Sequence, residues 1–123
     1  MYVRFAELPV VDQDRAVAFY TEKLGFRVAE DVPYGDGWRW LTLEIPGAQT
    51  KILLTRKTDS VEEDGAPRLA LTVDDIHDTY RRLREKGVVF LGEPTESTWG
   101  SREVFALFRD SEDNLIMVGT DDR

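Results

Sequence analysis

The chain has 123 residues, the length of one ordinary domain that can bury a core without disulfides. It has no cysteine, which excludes disulfides, thiolate chemistry and cysteine-based zinc sites and fits a reducing cytoplasm. A net charge of −8 at pH 7 without a basic stripe argues against nucleic acid as a partner, and no apolar run reaches the about 20 residues that cross a membrane. We therefore expect a soluble cytoplasmic protein.

The first half of the chain reads as a strand, a helix and three further strands. The first strand ends at Asp12, whose short carboxylate suits the N-cap of a helix, and Gly25 suits the left-handed residue that closes it. Strands are predicted at residues 26–28, 38–45 and 51–55, and a glycine-rich loop precedes the second of them. The apolar stripe of the helix consists of Ala16, Val17, Phe19, Tyr20 and Leu24.

The second half repeats this order. Asp74 follows an apolar strand as the predicted N-cap, and Gly87 closes the predicted helix. Three strands follow, at residues 88–91, 103–109 and 115–118. The apolar stripe of this helix consists of Ile76, Tyr80 and Leu83.

The repeat predicts an α+β fold of two tandem βαβββ modules in a single domain. Module 1 is residues 1–56, the polar segment 57–67 is a linker, and module 2 is residues 68–123. The strands are expected to form a curved mixed sheet with the helices on its outer face. Strand alternation places Phe5, Glu7 and Arg68 on the face away from the helices, where a ligand would bind.

Two sequence motifs resemble those of a known superfamily. Residues 10–20, followed by Leu24-Gly25-Phe26, are similar to the opening of the vicinal-oxygen-chelate superfamily, which includes glyoxalase I, extradiol dioxygenases and the fosfomycin- and bleomycin-resistance proteins. Residues 99–102 and 109–114 resemble its closing motif, in which Asp-Pro-Asp-Gly-Asn is usual. Ser111 and Asp113 depart from that motif, although an aspartate tolerates the left-handed geometry of such a turn.

The resemblance also implies where the metal ligands of the superfamily's enzymes would fall. Those positions correspond here to Phe5, Leu53, Arg68 and Met117. None offers an imidazole or a carboxylate, and a guanidinium would oppose a divalent ion. The resemblance therefore implies a protein without a metal or another cofactor.

Few side chains are suited to acid–base chemistry. His77, the single histidine, falls on the polar face of the second helix and is expected to be a surface residue. Glu7 is the best candidate for a catalytic base, because alternation turns it to the cleft face; Glu44 and Glu103 are lesser ones. The alternative for Glu7 is an ion pair with Arg68 and no catalysis.

Aromatic residues supply the remaining candidates. Trp40, Trp99, Trp38 and Tyr34 can bind flat or cationic molecules by stacking and cation–π contacts, although such residues also pack in cores and dimer interfaces. The predicted ligand-binding set is Phe5, Glu7, Trp40, Leu53, Arg68, Trp99 and Met117.

Three functions are compatible with these features. The first is a metal-free binding protein of the bleomycin-resistance type, which sequesters a planar or cationic small molecule in the cleft of a homodimer. The second is a glyoxalase- or dioxygenase-like enzyme that uses a displaced metal site or a carboxylate base such as Glu7. The third is an accessory interaction domain without a small ligand.

Overall fold

The computed structural model describes residues 1–58, 65–99 and 103–120. The chain forms two compact units, one ending at residue 62 and the other beginning at residue 63, and each unit has the order βαβββ. Part of the predicted linker, residues 59–64, lies outside the described residues. The α+β class and the tandem repeat are confirmed. The elements are β1 (Phe5–Val10), α1 (Gln13–Leu24), β2 (Arg27–Gly35), β3 (Trp38–Glu44), β4 (Lys51–Arg56), β5 (Leu69–Thr72), α2 (Ile76–Glu85), β6 (Thr95–Glu96), β7 (Val104–Arg109) and β8 (Leu115–Thr120).

Each module forms its own four-stranded mixed sheet. The strand order is β1-β4-β3-β2 in module 1 and β5-β8-β7-β6 in module 2. In both sheets the first strand of the module pairs in parallel with its last strand, and the other pairs are antiparallel. None of the helices in the described part of the chain is long and apolar enough to span a membrane.

The helix N-termini confirm one predicted cap and correct the other. Asp12 caps α1 and accepts a hydrogen bond from the backbone of Arg15 at 3.0 Å. The cap of α2 is Asp75 and not the predicted Asp74. Both aspartates have a short carboxylate that can serve as an N-cap, so a contact from a distant part of the chain decides between them. The backbone N–H of the first helical residue, Ile76, donates to the Thr120 hydroxyl at 3.1 Å.

The C-terminal ends of the helices follow the prediction. Gly25 and Gly87 have φ angles of 77° and 92°, the left-handed region that a side chain rarely adopts. The backbone N–H of Phe26 then bonds to Tyr20, and that of Val88 bonds to Leu83.

The segment predicted as a glycine-rich loop is a tight hairpin. Strand β2 continues to Gly35, so that Tyr34 is a strand residue, and β3 begins at Trp38. Only Asp36 and Gly37 make the turn, with φ angles of 54° and 75°. An Asp-Gly pair with two positive φ angles matches the twist of the flanking strands, and this is the physical reason for the longer strand.

The predicted strand at residues 88–91 is wrong. Val88 is buried and still bonded to the end of α2, and this segment contributes a single bridge, between Phe90 and Phe108. The ring of Phe90 lies 4.7 Å from Tyr80 and 5.4 Å from Phe108. Two backbone hydrogen bonds, from Leu91 to Leu107 and from Arg109 to Val89, hold this segment against β7, but the pairing does not extend into a strand, and β6 (Thr95–Glu96) is the outer strand of the sheet.

The core of each module lies between the helix and one face of the sheet. In module 1 it contains Leu8, Val10, Ala16, Phe19, Tyr20, Leu41, Leu43, Ile52 and Leu54. In module 2 it contains Leu69, Ile76, Leu83, Ala106, Phe108, Ile116 and Val118. Intervening strand residues, such as Trp40 and Leu53, therefore face away from the helix.

Candidate ligand site

The sheet of module 1 splits between β3 and β4. Within the described residues 1–58, these strands pair only where Thr42 and Leu43 of β3 meet β4. Beyond that point β4 stays on β1 as far as Arg56, while β3 stays on β2 as far as Trp38. A concavity of about 460 Å³ opens at the split, and we call it the module 1 concavity. Its volume lies in the range of about 300–1,000 Å³ of small-molecule sites.

Aromatic rings form one wall of the module 1 concavity. Tyr34, Trp38 and Trp40 line it, and Trp40 is half-buried. The ring centroid of Trp40 lies 5.7 Å from that of Phe5 in an edge-on arrangement and 5.8 Å from that of Tyr34. Such contacts restrain the indole while leaving part of its surface accessible to a ligand.

Carboxylates lie beside these rings. Glu7 is exposed, lines the module 1 concavity and is paired in register with Leu53, which also lines it. The carboxylate of Glu30 accepts hydrogen bonds from the Trp40 Nε1 at 3.4 Å and from the hydroxyl of the fully buried Thr42 at 3.3 Å. The wall that carries Trp40 is therefore acidic as well as aromatic.

Two arginines at the module 1 concavity are held by other groups of the module. The guanidinium of Arg56 lies 4.9 Å from the centroid of Trp38 and donates to the Asp36 carbonyl at 3.4 Å. Arg39 forms ion pairs with Asp31 at 3.0 Å and Asp14 at 2.8 Å. These hydrogen bonds, that to Asp31 first, raise the pKa of Arg39 above its usual value.

A buried glutamine of α1 contacts the backbone of β3 at the same place. The Gln13 Nε2 donates to the Arg39 carbonyl at 2.9 Å, and the Arg39 N–H donates to the Gln13 Oε1 at 3.2 Å. Gln13 is only 6% exposed. Gln13 is polar and was not among the predicted site or core residues, although it lies three residues before Ala16, in line with the apolar stripe of the helix.

Module 2 carries the other predicted site residues. Met117 lines a smaller concavity of about 190 Å³ together with Ala70 and Phe105, and we call it the module 2 concavity. Trp99 is 56% exposed, with its ring 5.2 Å from that of Phe105. Arg68 is exposed just before β5, and its backbone N–H donates to the Leu115 carbonyl at 2.8 Å.

The predicted site residues therefore fall into two groups. Glu7, Trp40 and Leu53 line the module 1 concavity, and Phe5 contacts the ring of Trp40. In contrast, Arg68, Trp99 and Met117 belong to module 2. Residues 100–102 of the resembling motif lie outside the described residues. Trp38 and Tyr34, the other aromatic candidates from the sequence, also line this concavity, and Glu30, which the sequence did not single out, bonds to Trp40 beside it.

The residues first considered for acid–base chemistry have ordinary surface positions. His77 is exposed on α2, as expected. Glu44 lies 3.3 Å from Arg27 in a partly exposed ion pair, and Glu103 is half-buried beside the module 2 concavity. Nothing in these contacts distinguishes either carboxylate as a base.

Two βαβββ modules with a ligand-sized concavity on the open face of one sheet define a class of protein, the small α+β proteins of the glyoxalase fold. The sequence matches the profile of the Glyoxalase/Bleomycin resistance protein/Dioxygenase superfamily over residues 3–118. The chain belongs to this superfamily, and the resemblance seen in its two motifs is confirmed.

Relatives of known sequence or structure support the same assignment. YurT of Bacillus subtilis (strain 168) is 41% identical over 119 residues, which cover 89% of this chain and 91% of YurT. The crystal structure of TnmS3, an antibiotic binding protein from Streptomyces sp. CB03234, matches with a TM-score of 0.81 at 32% identity, covering 99% of this chain and 97% of TnmS3. A superfamily member from Sphaerobacter thermophilus DSM 20745 has the same TM-score and identity, covering 98% and 97% of the two chains.

The residues at the superfamily's metal positions do not fit a metal ion. Leu53 is paired in register with Glu7 in the parallel pair β1–β4, and Met117 is paired with Ala70 in the equivalent pair β5–β8. Leu53 and Met117 are therefore counterparts in the two repeats. Neither is a ligand for a hard divalent ion. Within the described ranges no group of three or more histidine or acidic side chains is arranged to hold a metal.

Proposed function

We propose that this protein binds a planar, preferably cationic small molecule in the module 1 concavity, without a metal and as a homodimer. The observation that carries the proposal is the position of Trp40, whose ring contacts those of Phe5 and Tyr34, whose Nε1 donates to Glu30, and which lines the same concavity as Glu7. TnmS3, which shares the fold at 32% identity, is an antibiotic binding protein, and this supports binding rather than catalysis.

The preference for a cation follows from the charges near Trp40. Arg39 and Arg56 are engaged by Asp31, Asp14 and Trp38, whereas Glu7 is exposed at the same surface. The chain as a whole carries a net charge of −8, which raises the local concentration of cations. An aromatic face attracts an organic cation through its ring quadrupole, and a nearby carboxylate adds a favourable charge interaction.

A pair of probes tests this proposal. Proflavine is a planar cation, and 9-anthracenecarboxylate is a planar anion of similar size. We expect proflavine to bind more tightly, and we expect Glu7→Gln to weaken it about fivefold, equivalent to about 1 kcal/mol for an exposed charge pair. Glu22→Gln removes the same charge from an exposed position of α1 and should change the affinity less than about twofold. Fluorescence titration measures the affinity of each probe for the parent and for the two variants.

Other results of this experiment contradict the proposal. If only 9-anthracenecarboxylate binds and Arg68→Met abolishes its binding, the ligand site is an anion site at Arg68 and not the module 1 concavity, because a guanidinium fork recognises carboxylates. If neither probe binds, the module 1 concavity is not a site for planar ligands. Elemental analysis after exposure to zinc, nickel, manganese and ferrous iron is the parallel test, and one tightly held ion per chain would favour an enzyme.

The homodimer is proposed from the open sheet faces. Each module has a single helix, so one face of its sheet has no helix from that module, and apolar residues such as Val28, Val32 and Tyr34 are exposed on β2. Closed two-fold symmetry is the commonest way in which proteins cover such surfaces. Light scattering at micromolar concentration should give twice the chain mass of 14.1 kDa, and a monomer would contradict the dimer.

A further inference from the structure

Where β3 separates from β4, the backbone N–H and C=O groups of β3 on that side need other hydrogen-bond partners. Arg39 lies in the part of β3 that has separated from β4. Both backbone groups of Arg39 instead bond to the side chain of Gln13, at 2.9 and 3.2 Å. The amide of Gln13 thus replaces the missing strand with one donor and one acceptor.

The side chain of Arg39 strengthens the same junction. It points towards α1, where it pairs with Asp14, and it also pairs with Asp31 of β2. The neighbouring residues, Trp38 and Trp40, point to the opposite face because side chains alternate along a strand. The position of both indoles in the module 1 concavity therefore depends on where α1 holds the backbone of β3.

We infer that Gln13 is a positioning residue that keeps β3 apart from β4 and holds Trp40 in the module 1 concavity. This inference rests on the proposed function as far as ligand affinity is concerned. The buried amide supplies the hydrogen bonds that β4 would otherwise make, so that the split in the sheet persists without unsatisfied backbone groups. Gln13 itself lies on the helix side of β3 and is not among the residues lining the concavity.

The test compares three variants in a Trp99→Phe background, so that tryptophan fluorescence reports only on Trp38 and Trp40. Gln13→Met keeps the length of the side chain and removes both hydrogen bonds. Gln13→Glu keeps the acceptor for the Arg39 N–H and loses the donor. Thr21→Val is the matched control, because it removes a side-chain hydrogen bond within α1, to Val17, that does not involve β3.

We expect Gln13→Met to weaken proflavine binding about tenfold and Gln13→Glu about threefold, with Thr21→Val within about twofold of the parent. Gln13→Met should also speed amide hydrogen exchange at Arg39 and change acrylamide quenching of the two tryptophans. If Gln13 had a purely structural role, Gln13→Met would lower the melting temperature and leave the affinity and the quenching unchanged. Parent-like affinity and quenching in Gln13→Met would therefore overturn the inference, even if that variant is less stable.

Failure of the proposed function gives a different pattern. If proflavine does not bind to the parent, the proposed ligand is wrong, and exchange and quenching alone decide the role of Gln13. Faster exchange at Arg39 together with altered quenching in Gln13→Met, partly restored in Gln13→Glu, would support positioning. Unchanged quenching in both variants would refute it.

Discussion

Trp40→Leu is expected to weaken proflavine binding at least about tenfold. Stacking and cation–π contacts of an indole contribute about 1 to 2 kcal/mol, and 1.4 kcal/mol corresponds to a tenfold change in affinity. The substitution also removes the donor that bonds to Glu30 and the ring that contacts Phe5 and Tyr34. The fluorescence of proflavine itself measures the affinity, so the loss of a tryptophan does not affect the signal.

Two further variants define what the Trp40 result means. Tyr2→Leu removes an exposed aromatic ring of the same unit that is not among the residues lining the module 1 concavity, and it should bind like the parent. Trp99→Leu tests whether the predicted residue of module 2 belongs to the same site: an equal loss would extend the site, and parent affinity would confine it to module 1. Parent affinity in Trp40→Leu would contradict the proposed location.

Asp110→Ala is expected to lower the free energy of unfolding by about 3 to 5 kcal/mol, because it removes at least three hydrogen bonds to a buried carboxylate. The Asp110 Oδ1 accepts from the backbone N–H groups of Glu112 at 2.8 Å and Asn114 at 2.9 Å. Its Oδ2 accepts from the Asn114 side chain at 3.1 Å, and Asp110 is 7% exposed. Urea denaturation monitored by circular dichroism measures the change.

A second aspartate of the same turn provides the control. Asp113 is exposed and has a φ angle of 64°, at the position where the superfamily motif usually has glycine. Asp113→Gly removes an equal charge and suits the left-handed backbone, so stability should change by less than about 1 kcal/mol. A loss below about 1 kcal/mol in Asp110→Ala, as for an exposed residue, would show that the turn does not depend on its carboxylate.

Several features of this protein followed from the sequence because they depend on residues close together in the chain. The two βαβββ units, the Asp12 cap, the left-handed Gly25 and the placement of Phe5 and Glu7 on the face away from the helix all rest on caps, turns and alternation. The departure at Asp113 was also anticipated, since an aspartate accepts a positive φ angle.

Contacts between distant segments decided the rest. Asp75 rather than Asp74 caps α2 because Thr120 bonds to Ile76. Residues 88–91 form a single bridge to β7 and no strand, while Phe90 packs against Tyr80 of α2. The module 1 concavity exists because β4 remains paired with β1 while β3 remains paired with β2, so that β3 and β4 separate. Gln13 then bonds to the backbone of β3 where β4 no longer does. No local pattern encodes where two strands separate, because that point depends on which of their other neighbours each strand continues to pair with.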